Sequence, residues 1–410
     1  MRRLLTLLLA GALSAALQAG EVHLGLLGNI PDLKPVELLA AKISIDAANA
    51  SPKLASDPLK LIPAHDKGTL EGALEGAKKL AEDPEMMGVV IHGEEGTDPS
   101  VLKIFSDAGI AVVSASSWTT PRGLSNTVTW LSPRQEELAA VGAQYVRKSR
   151  QVRQVAVIDN GAPTAMAAAK AFADKFRDMG GKVNFEGEWQ GTEWGLTRTV
   201  KALSANWPQV IFFAGDGRDA GLLVKAMQKE KGLKNSVLIG LPTLFDPEFI
   251  NTARTETKHT LAIFPCPDFQ TSAKIAKYLG VSFDRKSANY QSYIHFAYKK
   301  PGRWTAMVFD GTQLLVDAVA KAAAAPAPAP TSPTAGVSDT AQVQAAAPAL
   351  TRAAVREALN SLPGYKGIRG KVKFGPNHEP LDPKAMIFNA QPKVNTREMR
   401  WYDYNYGPPF

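Results

Sequence analysis

Val22-His-Leu-Gly-Leu-Leu-Gly28 and Met87-Gly-Val-Val-Ile-His-Gly93 decide the fold. Each is a short apolar run bounded by glycine, as expected of a strand covered on both faces. After the first run, Val36, Leu39, Ala40, Ile43 and Ala47 fall on one side of a 3.6-residue period, which predicts an amphipathic helix. Leu59 to His65 is the next strand, and Leu70, Ala73, Leu74, Ala77 and Leu80 form the next helical stripe. A helix over 99–108 then leads to a strand at Gly109-Ile-Ala-Val-Val-Ser114.

The alternation restarts after Arg134. A helix from Glu136 to Lys148 precedes a strand at Val155–Asp159. Met166, Ala169, Phe172, Phe176 and Met179 share a helical face that Gly180-Gly181 closes. Strands at 182–185, 210–215 and 237–240 are separated by helices around Leu196–Leu203 and Ala220–Lys229. Continuous apolar strands alternating with helices imply parallel sheets with helices on both faces. Two such series imply two similar α/β lobes. Ligands of open α/β sheets bind beyond the carboxyl ends of the strands, so the residues just after each strand are the site candidates.

The chain begins Met1-Arg2-Arg3, followed by an apolar run from Leu4 to Leu17 and then Gln18-Ala19-Gly20. That run is shorter than the roughly 20 residues needed to cross a bilayer and fits a secretory signal cut after Ala19. No cysteine follows it, which excludes a lipid anchor there. A soluble protein acting in the periplasm or outside the cell is expected. The formal charge is +8, of which Arg2 and Arg3 supply two, leaving +6 after cleavage. The basic residues are dispersed, which argues against nucleic acid as a partner. The single cysteine, Cys266, excludes an intrachain disulfide and sits in an apolar segment where it reads as a small hydrophobe.

One stretch breaks the pattern. From Ala322 to about Leu350 the chain is rich in alanine and proline, which reads as an extended or disordered loop. It separates a helix over 312–320 from one over 352–361, the latter with Thr351 as N-cap.

The motifs of catalysis are missing. The six histidines have no metal-pair spacing, and there is no GxSxG elbow, phosphate loop or GxGxxG. Asp159 after a strand reads as a loop or helix cap. Glu94-Glu95 reads as a polar strand end or a ligand contact, since no nucleophile with an orienting base accompanies it. No catalysis, no metal and no cofactor are expected.

Five segments carry a family resemblance: Val89–Thr97, Ala108–Trp118, Phe212–Gly221, Phe309–Ala318 and Leu362–Phe374. Their order and spacing resemble the type I periplasmic substrate-binding proteins of ABC transporters, in the leucine/isoleucine/valine-binding branch. The resemblance implies two Rossmann-like lobes joined by a three-strand hinge. Lobe one would be 21–133 plus 267–363 and lobe two 134–266 plus 364–410, with crossovers near 131–134, 264–267 and 364–370. The implied function is capture of a small polar organic solute, an amino acid or a similar molecule, by hinge closure and delivery to a membrane permease. A ligand-sensing receptor subunit of the same fold is the alternative. The protein is expected to act as a monomer.

The resemblance also nominates a site. Glu95, Gly96 and Thr97 follow strand three, with Glu95 nearest the family's usual serine. Ser116, Ser117 and Trp118 follow strand four. In lobe two, Pro163 and Asp216 stand near frequent tyrosines, and Thr243 lies in the Leu241–Thr243 stretch where a glutamate is common. A glutamate facing a ligand carboxylate would repel it, which points away from a standard branched-chain amino acid. Glu95 and Asp216 suit a cationic or hydrogen-bond-donating solute, and Trp118 suits a flat or apolar group. The competing reading of Asp216 is a surface pair with Arg218. Trp130, Trp189, Trp194 and Trp304 are expected to be packing residues.

Overall fold

The computed structural model describes residues 21–30, 36–51, 54, 58–116, 127–189, 191–245, 247–257, 259–265, 303–325, 350–381, 385–392 and 399–403. The signal segment, Ser117, Trp118, Cys266 and most of the Ala-Pro stretch lie outside the described residues.

The first sheet has five parallel strands. It is built from β1 (Val22–Gly28), α1 (Val36–Asn49), β2 (Leu59–His65), α2 (Leu70–Glu82), β3 (Met86–His92), α3 (Pro99–Asp107), β4 (Ala111–Ser114) and β5 (Val128–Trp130). The strand order is β2-β1-β3-β4-β5. β3 is buried from Met86 to Ile91, because helices cover both its faces. α2 sits close to the sheet through small residues: a Cβ on Gly76 would lie 2.8 Å from Leu27. Its start is fixed by the Thr69 hydroxyl, which accepts from the Gly72 N–H at 3.1 Å. Asp98 caps α3 in the same way, with Pro99 in its first turn.

The chain then crosses to a second unit. This comprises α4 (Gln135–Gln144), β6 (Gln154–Asp159), α5 (Pro163–Asp178), β7 (Lys182–Glu188), α6 (Glu193–Asn206), β8 (Val210–Ala214), α7 (Gly217–Lys229), β9 (Val237–Gly240), α8 (Pro247–Ala253) and β10 (Thr260–Phe264). α4 and α5 cover one face of its sheet, through Leu138, Phe172 and Phe176. The other face carries Leu203 of α6, Leu223 of α7 and Phe249 of α8.

Two helices then return to the first sheet. α9 (Arg303–Ala323) and α10 (Arg352–Asn360) join Ala41 and Ile45 of α1 in one core with β1, β3 and β4. α9 begins well before the 312–320 helix expected from the sequence. Gly311 lies inside this helix, where a Cβ would pack 3.3–3.4 Å from Leu131, Val113 and Val90. A hairpin of β11 (Gly364–Gly367) and β12 (Gly370–Lys373) follows, and its Tyr365 and Val372 pack against the first core. Only then do β13 (Met386–Pro392) and β14 (Met399–Asp403) enter the second sheet. Its order is β14-β13-β10-β9-β8-β6-β7, with β13 and β14 antiparallel at one edge.

A small core joins the two units. Ala40 and Ile43 of α1, Phe264 of β10, Ala306 and Phe309 of α9, Ile368 of the hairpin turn and Phe388 of β13 pack together. The result is a mixed α/β protein with two parallel-sheet lobes. Trp130 and Trp189 are fully buried as expected, whereas Trp194 is 74% exposed. It lies in the first turn of α6, with the Arg198 guanidinium 5.8 Å from its ring, because its face of the helix has no sheet beneath it.

Candidate functional site

The carboxyl ends of both sheets collect the polar groups. On the first lobe these ends belong to β1, β2, β3 and β4. Gly28 ends β1 opposite His92 of β3. A Cβ on Gly28 would lie 2.2 Å from the His92 carbonyl oxygen, so only glycine lets the two strands meet there. Beyond β2, Asp66 is 0% exposed, and its Oδ1 accepts from the Gly68 N–H at 2.8 Å. Its Oδ2 is buried without a hydrogen-bond partner, as is His92 Nδ1. Burial raises the Asp66 pKa, opposed by the Gly68 N–H and reinforced by the Glu95 charge. Burial lowers the His92 pKa despite the nearby Glu37, Asp66 and Glu95, which favours a neutral imidazole.

The loop after β3 holds the first group of nominated residues. Gly93 has φ 128°, a conformation that suits glycine, and its N–H donates to the Ser116 hydroxyl at 2.5 Å. Ser116 thus joins the loops after β3 and β4. Glu95 opens a short 3₁₀ turn, Glu95–Thr97. Gly96 offers only backbone, since a Cβ would lie 2.4 Å from Ile91. Thr97 is buried, and its hydroxyl donates to the Glu94 carbonyl at 2.7 Å, so its side chain is engaged in holding the turn. Glu94 Oε1 accepts from Gln135 Nε2 at 2.9 Å, which links this loop to the start of α4.

The second lobe offers Asp159 after β6, Glu188 at the end of β7, Asp216 after β8 and Thr243 after β9. Asp159 Oδ1 accepts from the Gly161 N–H at 2.9 Å. Burial raises its pKa, and the Glu188 charge adds to the rise against the Gly161 N–H. Pro163 occupies the first turn of α5, where a missing N–H costs nothing. Asp216 caps α7, accepting from the Asp219 N–H at 2.8 Å, so its partner is its own helix instead of a surface pair. Burial, the Asp216 charge and a side-chain hydrogen bond with Asp216 push the Asp219 pKa up to about 6. Thr243 donates to the Gly215 carbonyl at 2.8 Å, which fastens the turn after β9 to the end of β8. Asp216 and Thr243 are therefore neighbours through Gly215, while Pro163 follows the adjacent strand β6.

An aromatic series runs from one rim toward the other. His92 lies 6.2 Å from Trp304, Trp304 lies 4.7 Å from Phe264, and Phe264 lies 5.0 Å from Phe245, ring centroid to ring centroid. Trp304 begins α9 and Phe245 ends the turn after β9, so these rings tie the rims to the joining core.

Asp66, His92 and Asp219 were not nominated from the sequence. Asp66-Lys-Gly68 carried a turn signal directly after a strand and could have been found. Asp219 lies inside a helix and carried none. Among the described residues, no group of three histidine, cysteine or carboxylate side chains is arranged to hold a metal ion. No described helix is long and apolar enough to cross a membrane.

Residues 32–394 match the family model for periplasmic binding proteins. No curated protein sequence matches the chain significantly. Among solved structures, an ABC transporter substrate-binding protein from Desulfitobacterium hafniense in complex with leucine is similar, with 16% identity, a TM-score of 0.69, and 93% of this chain and 100% of that one covered. A branched-chain amino acid transporter substrate-binding protein from Streptococcus pneumoniae in complex with isoleucine has 15% identity and a TM-score of 0.66, with 93% and 99% covered. A putative branched-chain amino acid ABC transporter protein from Rhodospirillum rubrum has 18% identity and a TM-score of 0.62, with 93% and 100% covered. At these identities the likeness is one of fold. The members of this group are substrate-binding proteins and not enzymes. With nearly its whole length matched by that model, the chain belongs to the type I periplasmic binding proteins.

Proposed function

We propose that this protein is the extracytoplasmic solute-binding component of an ABC importer, capturing a small polar organic solute between its two lobes. The observation that carries this reading is the placement of polar side chains at the carboxyl ends of both parallel sheets, on either side of a joining core that includes Phe264 and Phe309. Open α/β sheets bind ligands at those ends, and two hinged lobes close on a solute held between them. The lobes proposed are 21–133 plus 267–363 and 134–266 plus 364–410, with the hairpin over 364–373 acting as part of the hinge. Glu95, Gly96, Thr97, Ser116, Ser117 and Trp118 are proposed to contact the solute from lobe one, and Pro163, Asp216 and Thr243 from lobe two. Gly96 would act through its backbone. Thr97 and Thr243 would contact the solute from turns that their own hydroxyls hold.

The permease in the membrane is the proposed partner, and the segment over residues 1–19 the proposed export signal. The test is thermal stabilisation of the purified protein by a panel of amino acids, amides, polyamines and aromatic acids. Small-angle scattering should accompany it with each compound that stabilises. Specific stabilisation together with a smaller radius of gyration is expected. A panel without any stabilising compound would count against solute capture.

A further inference from the structure

The full chain is basic, at +8, yet the two rims are acidic. Asp66, Glu94 and Glu95 stand on the first, and Asp159, Glu188, Asp216 and Asp219 on the second. Two basic groups nearby are engaged elsewhere, while the Arg218 charge acts on Asp219 of the second rim. Arg134 pairs with Glu136 at 3.1 Å, and Lys67 pairs with Glu75 at 2.9 Å on the outer surface. A concentration of one charge sign in a cleft raises the local concentration of the opposite sign.

Acidity by itself does not make a site, but Asp66 adds an independent observation. It is wholly buried, one of its oxygens is paired with Gly68, and the other has no partner. A buried carboxylate oxygen left unpaired is costly unless something supplies a donor. The position a Cβ would take on Gly93 is 3.2 Å from that oxygen and 3.5 Å from Glu95 Oε2. Two carboxylate oxygens therefore flank one point beside a residue that has no side chain. His92 Nδ1, also buried and unpaired, belongs to the residue just before it. Acceptors from the loop after β2 and from the loop after β3 converge here. A ligand carboxylate would meet two like charges, whereas an ammonium or guanidinium group would supply what both lack.

We propose that the rim formed by Asp66, His92 and Glu95 is a cation subsite, and that the solute is an organic cation bearing an amine or guanidine, not a carboxylate, at this end. This rests on the solute-binding reading above. Asp66 Oδ2 and Glu95 Oε2 receive two N–H bonds from the cation, and His92 Nδ1 is the acceptor for a third. The carboxylates of the second lobe complete a negatively charged enclosure when the lobes close.

Isothermal titration of the full mature chain with four probes tests this: butylamine, 1,4-diaminobutane, agmatine and L-leucine. Binding of at least one cationic probe, at least tenfold tighter than L-leucine, is expected. Asp66→Asn and Glu95→Gln should each weaken that binding by at least tenfold. Asparagine keeps the acceptor for Gly68, and Glu95 is partly exposed, so one variant remains folded even if the other does not; circular dichroism identifies which. Tighter binding of leucine than of every cation would overturn the cation assignment and leave solute capture standing. Cation binding unchanged in a folded variant would overturn the placement of the subsite. If none of the four binds, a wider titration series of neutral and anionic solutes separates the two ideas. Binding there overturns only the cation subsite, and no binding overturns both.

Discussion

Arg369 Nε donates to Asp310 Oδ2 at 2.9 Å, in a pair only 5% and 0% exposed. Asp310 lies in α9 and Arg369 in the turn of the β11–β12 hairpin. The same carboxylate accepts from the Ile368 N–H at 2.9 Å, and Arg369 Nη1 donates to the Leu131 carbonyl at 3.1 Å. Gly367 makes the approach possible, since a Cβ there would lie 2.3 Å from Asp310 Oδ1. One buried carboxylate thus fastens the β11–β12 hairpin to α9, and its arginine reaches Leu131, just after β5.

Removing one partner of a buried ion pair leaves an uncompensated charge, which costs about 3–5 kcal/mol. Asp310→Ala should lose stability of that order in a urea titration. The double variant Asp310→Leu with Arg369→Met should recover most of the loss. A single-variant loss below about 1 kcal/mol would show that the pair does not hold the hairpin to α9.

Gly28→Ala should damage the rim more than its small volume suggests. The added methyl meets the backbone carbonyl of His92, which cannot rotate away. We expect a loss of about 1–3 kcal/mol together with weaker solute binding. Gly25→Ala provides the contrast, because its methyl meets only side-chain atoms of Val89 and Leu80. It should affect melting without affecting affinity. Equal effects of the two variants on affinity would refute a positioning role for Gly28.

Arg352 serves the opposite end of the first sheet. Its guanidinium donates to the carbonyls of Met86 at 2.9 Å, Ala108 at 3.1 Å, Ala81 at 3.3 Å and Asp83. It satisfies chain ends of α2 and α3 that have no helical partner. Arg352→Ala should cost about 1–3 kcal/mol. Arg352→Lys should recover little of this, since an ammonium cannot reproduce the planar fork. Solute affinity should be unchanged in both, as measured by titration calorimetry. A large affinity loss would mean that the ends of the sheet are coupled.

Asp219 makes stability depend on pH. Its folded pKa, about 6, lies above the ordinary aspartate value of 3.8. A raised folded pKa contributes stability below the unfolded value and loses it as pH rises through the folded one. The wild type should therefore give up stability between about pH 4 and 6 on account of this group. Asp219→Asn should melt higher than the wild type at pH 7 and show a smaller advantage at pH 4. A difference in melting temperature that is the same at both values would remove Asp219 as the cause.

Much of the architecture was legible because burial on both faces of a parallel sheet forces continuous apolar strands. Val89, Val90 and Ile91 read as strand for that reason, and Phe172 and Phe176 as the inner face of α5 for the matching helical reason. The start of α9 was not legible, because a mid-helix glycine reads as a break until its packing against Val90 and Val113 is known. The exposure of Trp194 was equally hidden, since a large aromatic ring suggests a core position and nothing local shows that its face of α6 is uncovered.

The site was legible only by position. Strand ends pointed to Glu95, Ser116, Asp216 and Thr243, but residue type did not reveal what each side chain does. Thr243 and Asp216 hold turns and caps, and Asp66 acquires its unpaired oxygen from neighbours on other strands. The sequence by itself determined the alternation of strands and helices, the two series and the family, because these follow from local periodicity and order along the chain. The tertiary structure alone decided which carboxylates are buried, which share a charge environment and which are already bonded. Those properties depend on distances between segments far apart in the chain, and no local pattern records them.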